Sequence, residues 1–497
     1  MSASVLNIGT KREVFWDHYL VDIERTTAFI RQLHPEWKGS CFLFDQGDEI
    51  NGISYPCVVK DAKGYKMYYL PWHTITGPNG FWRSVATLCV LESDDGIHWT
   101  RPNLNIYDRP DLEINNVVID ELDDGAFVFY DSNPNCDTNE RYKALTPRET
   151  KDDQLGGLWC YTSPDGYHFK LSHRLTSIGA FDSLNTAHWD GEKYCCYLRD
   201  YHDMAGDSWK DGILDFNTRR QVTTWANINA GKRDVRVMYS DDFRSWTVPK
   251  LIKFEDGMDY PIYTNNVVPY PRAPHIKIGF PVRYIERKEW TPNYDQIGST
   301  EVKKVKMAGG HRHAKREGLA VTDCIFMCSR DGEMWHRVNE AFMAPGYESK
   351  VNWMYGDCYF GYNLIDSGRE VYYMYERGAT GAIGQPKPLE RYEIRKDGFA
   401  CWMADGEERI LVTKPLIFEG KDLHLNFQTS ARGYIYVDVL DEMGAPLSEQ
   451  ESFEIFGNTI DRKICFADGT DFSAYAGRPV RLRFRMCEAK LYAMNFT

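Results

Sequence analysis

No run of this 497-residue chain approaches 18 uninterrupted apolar residues, so no segment is suited to cross a bilayer as a helix. The opening MSASVLNIGTKREVFWDHYLVD lacks the continuous apolar core of a secretory signal, and the expectation is a cytoplasmic protein. Its 13 cysteines are odd in number and include no CxxC pair, which argues against a disulfide framework and for reduced, buried thiols. A basic excess is also missing. With 59 basic against 72 acidic residues the net charge is −13, which disfavours nucleic acid and anionic membrane as partners. HExxH, P-loop and GxSxG motifs are absent, and the glycine-rich stretch 378–384 is followed by no helix that would make it a dinucleotide site. Long amphipathic helical patterns are almost lacking.

What fills the chain instead is alternation. Short runs such as GYKMYYLPW, GAFVFYDS, EKYCCYLRD and EVYYMYE are bounded by Gly, Asp, Asn or Pro, the pattern of strands joined by tight turns. Aromatic residues reach 14%, which suits strands and also suits sugar-lined clefts. The fold class is all-β.

One motif recurs. Ser93-Asp94-Asp95-Gly96-Ile97-His98-Trp99 returns as 163–169, 240–246 and 329–335, with a degraded fifth copy at Arg395-Lys396-Asp397-Gly398-Phe399. Successive central aspartates lie 70, 77, 89 and 66 residues apart. In S-x-D-G-x-x-W, Ser and Asp cap a tight turn, Gly supplies a left-handed backbone and the aromatic packs beneath. Each copy follows an apolar strand, which places it between the outer two strands of a four-stranded unit. Five copies predict a five-bladed β-propeller over residues 1–409, with 286–317 as a long polar insertion in blade four. Beyond residue 410 the box disappears and clean alternation continues, predicting a small antiparallel β-sandwich over 410–497.

A five-bladed propeller with these boxes and a C-terminal sandwich resembles the glycoside hydrolase clans that include families 32, 43, 68 and 117. YPCVVKDAKGYKMYY is similar to the family 43 opening of Asp-Pro, apolar strand, turn and aromatic strand. The resemblance implies a glycosidase acting on a terminal sugar, favours a furanoside, and gives a small carbohydrate as partner. It breaks at Tyr55, which precedes Pro56 where those families carry a catalytic Asp, so their catalytic trio does not transfer.

In a propeller the inner strands begin near the axis, and their polar lead-ins converge. Here these read 47–51, 114–116, 181–185, 259–265 and 355–357. Glycosidic hydrolysis needs one protonated acid and one ionised carboxylate flanking the bond. Asp182 ranks first as base or stabiliser and Asp357 next, followed by Asp48 and Glu49 as replacements for the missing first-blade Asp. Glu376, in the aromatic strand MYERG, is the candidate acid. Tyr55, His73, Arg199, Asp259, Arg283, Glu286 and Trp353 are the candidate substrate contacts, and Glu286 is also the runner-up acid. A capping or ion-pair role is the alternative for each carboxylate. No catalytic metal or cofactor is expected, although a structural divalent ion in the channel fits the fold, and His311 and His313 in GGHRHAKRE read first as a solvated loop. A sugar-binding propeller without catalysis and a phosphorylase drawing on Arg283, His311, Arg312 and His313 stay open beside the hydrolase. A homo-oligomer also stays open, through the tail.

Overall fold

A computed structural model describes residues 5–76, 82–123, 125–148, 156–203, 231–258, 260–308, 318–338, 340–377, 385–447, 451–466, 469 and 471–497. Its strands form five blades. The first comprises Ile53–Asp61, Gly64–Thr76, Trp82–Ser93 and Val117–Leu122, and the second Phe127–Tyr130, Tyr142–Arg148, Gly157–Ser163 and Lys170–Thr176. The third comprises Thr186–Trp189, Tyr194–Asp203, Gly231–Ser240 and Lys250–Leu251. In the fourth, Val268–Tyr270, Ala273–Gly279, Met327–Ser329 and Met334–Arg337 are joined by Lys253–Phe254, which runs parallel on the outer edge. A ribbon of Val282–Glu286 and Ala320–Cys324 extends from it. The fifth blade is Ile365–Asp366, Val371–Arg377 and Lys387–Arg395, closed by Glu36–Phe44 from the N-terminal part of the chain.

One placement differs from the sequence reading. Residues 114–116 lead into Val117–Leu122, the outer strand of blade one, and not into the inner strand of blade two. The cause is local: the Asn116 amide donates to Tyr69 Oη at 3.0 Å and to Val90 O at 2.8 Å, both in blade one. The lead-in to blade two is Gly125, where a side chain would meet the Tyr55 ring at 2.8 Å.

Four of the five boxes form the turn their sequence implies. In the first, Ser93 Oγ accepts from Gly96 N at 2.8 Å, and Asp95 Oδ1 accepts from the backbone of Ile97 and His98 at 2.8 and 2.9 Å. The other three repeat the aspartate cap. Burial works against ionisation of Asp95 and Asp165, but the N–H of residue 98 or 168 and its imidazole outweigh it, and both carboxyls sit well below their ordinary range. At Asp242 the N–H groups of Ser245 and Arg244 hold the carboxyl down to about 2. The fifth copy is not such a turn. Asp397 is buried and accepts from Arg12 Nη2 at 2.6 Å, Tyr270 Oη at 2.6 Å and Asn426 Nδ2 at 2.7 Å. Arg395 stands where the capping serine would be.

The boxes also join the blades. Tyr68, on the second strand of blade one, donates to the carbonyl of box residue Gly166 in blade two at 2.8 Å. Tyr197 of blade three does the same to Gly332 of blade four at 3.1 Å, and Tyr375 of blade five to Gly96 of blade one. All three tyrosines are buried. The third box has Phe243 in place of glycine, and there Lys143 lies 5.1 Å from the phenyl centroid instead. Nearer the axis, Asn265 accepts from Thr186 Oγ1 at 2.7 Å and Asn266 donates to Phe360 O at 2.5 Å, joining blades three, four and five. Tyr362 N donates to Pro56 O at 2.7 Å and joins blade five to blade one.

The contacts divide the chain into two compact units: Pro35–Pro269 with Pro274–Glu393, and Met1–His34 with Tyr270–Ala273 and Ile394–Thr497. The boundary in contacts therefore lies at Ile394, ahead of the expected 410, and the first 34 residues group with the tail. The tail unit is antiparallel as its alternation predicts, in one connected seven-stranded sheet with a separate parallel pair, Leu6–Gly9 and Leu416–Phe418. Its two long strands, Leu423–Leu440 and Arg481–Phe496, pair along most of their length across a register shift between Thr429 and Tyr434. The insertion is not all loop: Thr300–Ala308 is an α-helix. Residues 309–317, with His311 and His313, lie outside the described residues.

Gly332→Ala should be costly twice over, because φ is +79° and a Cβ would lie 2.5 Å from Tyr197 Oη. Tyr197→Phe should lower stability by about 1–2 kcal/mol. A double-mutant cycle on the denaturant midpoint should show that the two losses do not add, and full additivity would refute the coupling. The depressed box carboxyls contribute stability above an unfolded value of about 3.9 and lose it as pH falls through the folded values. Stability should therefore drop between about pH 4 and pH 2, and Asp242→Asn should shallow that slope; an unchanged slope would remove the box from the acid response.

Candidate functional site

The inner strands begin with an unusual backbone. Tyr55, Phe181, Asn266 and Cys358 lie at φ +52°, +59°, +47° and +60°, one each in blades one, three, four and five. A left-handed non-glycine residue costs about 1–2 kcal/mol and persists where its surroundings over-determine it. At Phe181 the cause is visible: Ala180 N and Phe181 N both donate to Arg199 O, at 3.1 and 3.2 Å, and Asn185 Nδ2 donates to Phe181 O at 3.1 Å. This doubled-back lead-in presents the next residue, Asp182.

Asp182 is fixed but open. Arg199 Nε lies 3.2 Å from Oδ1, Tyr201 Oη donates to Oδ2 at 3.0 Å, and the side chain keeps 36% of its surface accessible. Arg199 is 1% exposed; its Nη1 donates to Ile262 O at 3.1 Å, and its guanidinium lies 4.5 Å from the Tyr201 centroid and 5.1 Å from that of Tyr263. Burial, and then the charge of Asp182, push the Tyr201 phenol up. Tyr201 stands opposite Arg233 in the strand pairing, and the Arg233 guanidinium is 4.1 Å from the Tyr284 centroid.

Tyrosines from three blades complete this end of the axis. Tyr355 Oη donates to Tyr263 Oη at 2.6 Å, and the Tyr263 ring lies 6.0 Å from Tyr284 and 5.8 Å from Tyr359. Burial pushes the Tyr263 phenol well up, followed by the fields of Tyr355, Tyr55, Tyr359 and Asp182. Tyr55 of blade one, Asp182 of blade three and Tyr355 of blade five thus each act on Tyr263 of blade four. Tyr201, Arg233, Tyr263, Tyr284, Tyr355 and Tyr359 are not among the sequence candidates. Arg233 had a legible signal. In KRDVRVMYS it shares strand parity with Val235 and Val237, both buried, so an arginine stands on an inward face.

The other candidates fall in several places. Asp357 is buried and its Oδ2 accepts from Met354 N at 2.9 Å, the turn-capping contact. Its charge also reaches Lys303 on the insertion helix, whose ammonium burial lowers to about 8 against the opposing pull of Asp357 and Glu348. Glu376 is buried opposite Phe360, and burial followed by Glu376 drives the Cys358 thiol well up. Asp357 acts on the same thiol, so the two carboxyls share one neighbourhood in blade five.

Glu49 belongs to the packing of blade one. It is buried, accepts from Tyr69 Oη at 2.6 Å and Arg101 Nη2 at 2.7 Å, and caps the short helix Gly47–Asn51 through Gln46. Asp48 lines a recess with Thr87, Cys89 and Arg109, the last 3.9 Å away. Arg283 is held by Asp323 across the ribbon, at 2.7 and 2.5 Å. Glu286 is exposed at the ribbon end. Trp353, half-buried at φ +59°, donates to Gly346 O at 2.8 Å and folds its loop on itself. His73 pairs with Val85 through its backbone, its side chain lying outside the description, and Asp259 lies outside the described residues.

Glu49→Gln should lower stability by about 2–4 kcal/mol, since it breaks a buried ion pair from one side. A denaturant midpoint that moves by less than about 0.5 kcal/mol would remove Glu49 from the structural contacts.

No protein-family model matches the chain, and no curated protein matches it in sequence. Among solved structures, the chain is similar to an N-acetylgalactosamine deacetylase from F. plautii in complex with blood group B trisaccharide. Identity is 12%, with 73% of this chain and 96% of that one covered and a TM-score of 0.42. An α-L-arabinofuranosidase from Fusarium graminearum, with an iminosugar inhibitor, is 10% identical over 73% and 99% at a TM-score of 0.40. A third structure, described under the GH130 family of mannoside phosphorylases and its hydrolases of β-1,2 mannosidic linkages, is 11% identical over 73% and 96% at 0.37.

Proposed function

We propose that the protein is a glycoside hydrolase that releases a terminal sugar from a small saccharide at the end of the propeller axis. The observation that carries this reading is Asp182: an accessible carboxylate whose direction is set by a buried arginine and a buried tyrosine, at the convergence of four blades. Orientation of this kind is what a nucleophile or base at an anomeric centre requires. The ring of tyrosines offers apolar faces for a pyranose or furanose and hydroxyls for its polar edge.

Hydrolysis also needs a proton for the leaving oxygen. Glu376 is the acid in this reading, since burial favours the protonated form of a carboxyl, and Asp357 stands in the same neighbourhood. Asp182 then acts on the opposite side, as nucleophile or as base to a water. The bridge from Tyr355 to Tyr263, with Arg199 of blade three 5.1 Å from the Tyr263 centroid, supports bringing the blade-five acids and the blade-three carboxylate to one substrate.

The test is turnover of matched aryl and natural glycosides by the wild type, Asp182→Asn and Glu376→Gln. Asp182→Asn is expected to lower kcat by roughly 10²- to 10⁴-fold on every substrate. Glu376→Gln should do so on natural glycosides but much less on a dinitrophenyl glycoside, whose leaving group needs no proton. Saccharide binding without turnover, or amide variants as active as the wild type, would overturn the proposal.

A further inference from the structure

Arg233 is 7% exposed, and among the described residues its guanidinium makes no hydrogen bond and no ion pair. Nε is fully enclosed without a partner. Its surroundings are rings: Tyr284 at 4.1 Å, Tyr201 at 5.7 Å and Tyr263 at 5.8 Å. Stacking offsets only a small part of what an enclosed charge without a counter-ion costs. Beside it, Arg199 Nε lies 3.2 Å from Asp182 in an ion pair without a hydrogen bond, Nη1 donates to backbone carbonyls, and Nη2 is enclosed and also lacks an acceptor. Asp182 is the ion-pair partner of Arg199 and accepts from Tyr201, and among the described residues no carboxylate pairs with Arg233. Among the described residues, one positive charge with a planar donor fork is left over beside these tyrosines.

From this, and resting on the hydrolase reading for the site's location, we infer that Arg233 receives an oxyanion, so that the saccharide taken at this site bears a carboxylate or a phosphate. A guanidinium stacked on an aromatic ring keeps its fork fixed, which suits two parallel N–H···O bonds to such a group. Tyr201 and Tyr284 then position Arg233, and the surplus charge selects among sugars of similar shape.

The experiment is calorimetric binding of neutral and anionic partners of one skeleton (a methyl glucoside, the corresponding glucuronide and the 6-phosphate, with galacto-configured equivalents) and of inorganic phosphate alone. The proteins are the wild type, Arg233→Lys and Arg233→Met, each checked for an unchanged melting temperature. The wild type is expected to prefer the anionic member by roughly 10- to 100-fold, the range of one charge-assisted contact. Arg233→Met should bring that ratio to near one, and Arg233→Lys should restore part of it. Carboxylate and phosphate sugars distinguish the two sources; Arg233-dependent binding of inorganic phosphate without a preference among the sugars overturns the placing of the oxyanion on the saccharide. Equal binding of neutral and anionic partners by the wild type, or a preference that survives in Arg233→Met, overturns the inference. Because binding is read without turnover, an Arg233-dependent preference with no hydrolysis would sink the hydrolase reading and leave this one standing.

Discussion

A tyrosine hydroxyl resting on a glycine carbonyl of the next blade is the contact on which the ring depends. It occurs three times in the same sense, from Tyr68, Tyr197 and Tyr375, and each time the acceptor is the glycine of the S-x-D-G-x-x-W turn. The turn thus has two tasks. Its serine and aspartate close one blade's outer hairpin, and its glycine presents the carbonyl; at Gly166 and Gly332 a Cβ would lie 2.5 Å from the phenol oxygen that approaches. That dual use explains why the box repeats across blades whose strands share little sequence. Where Phe243 replaces the glycine, the junction is aromatic and cationic instead, so geometry is kept by different chemistry.

The ring gives the site its electrostatics. Asp182 is directed by a guanidinium that is itself fastened to the lead-in of blade four through Ile262 O. A carboxylate on a mobile loop would find many orientations. This one is tied through Arg199 to two blades, and the left-handed residue before it leaves the lead-in little freedom. The cost of that backbone is met by hydrogen bonds from Ala180 and Phe181 to the same arginine's carbonyl, so one residue supports both the main chain and the side chain of the site.

Much of this was legible in the sequence, and the remainder has a physical reason for being hidden. Five boxes at near-regular spacing predict five blades, because a strand pair needs a turn and this turn has a fixed signature. The fifth box misled in one respect: Asp397 keeps its place in the motif, but Arg395 replaces the serine, and the aspartate is recruited by Arg12 and Asn426 from distant segments. Val117–Leu122 was misassigned because a strand's blade is chosen by pairing partners that periodicity does not reveal. Asp182 and Arg199 stood out as polar residues at an inner-strand lead-in and a strand end. Tyr263, Tyr284, Tyr355 and Tyr359 did not, since tyrosine is common throughout the chain and only three-dimensional convergence separates these four from the rest. Glu49 looked equally catalytic in sequence; its helix cap and its bond to Arg101 depend on residues three and 52 positions away.

Closing the fifth blade with Glu36–Phe44 has a consequence for synthesis. This strand leaves the ribosome early, while its partner, Lys387–Arg395, follows roughly 350 residues later, a wait of about 20–70 s at ordinary elongation rates. Throughout it the nascent chain carries an unpaired edge that could recruit another copy. The strand is suited to the delay: Glu36, Lys38 and Gly39 at its start are a charged and poorly pairing stretch of the kind that discourages edge-to-edge association. Its aromatic end, Phe42 to Phe44, is the part a nascent-chain chaperone would have to cover until the ring shuts.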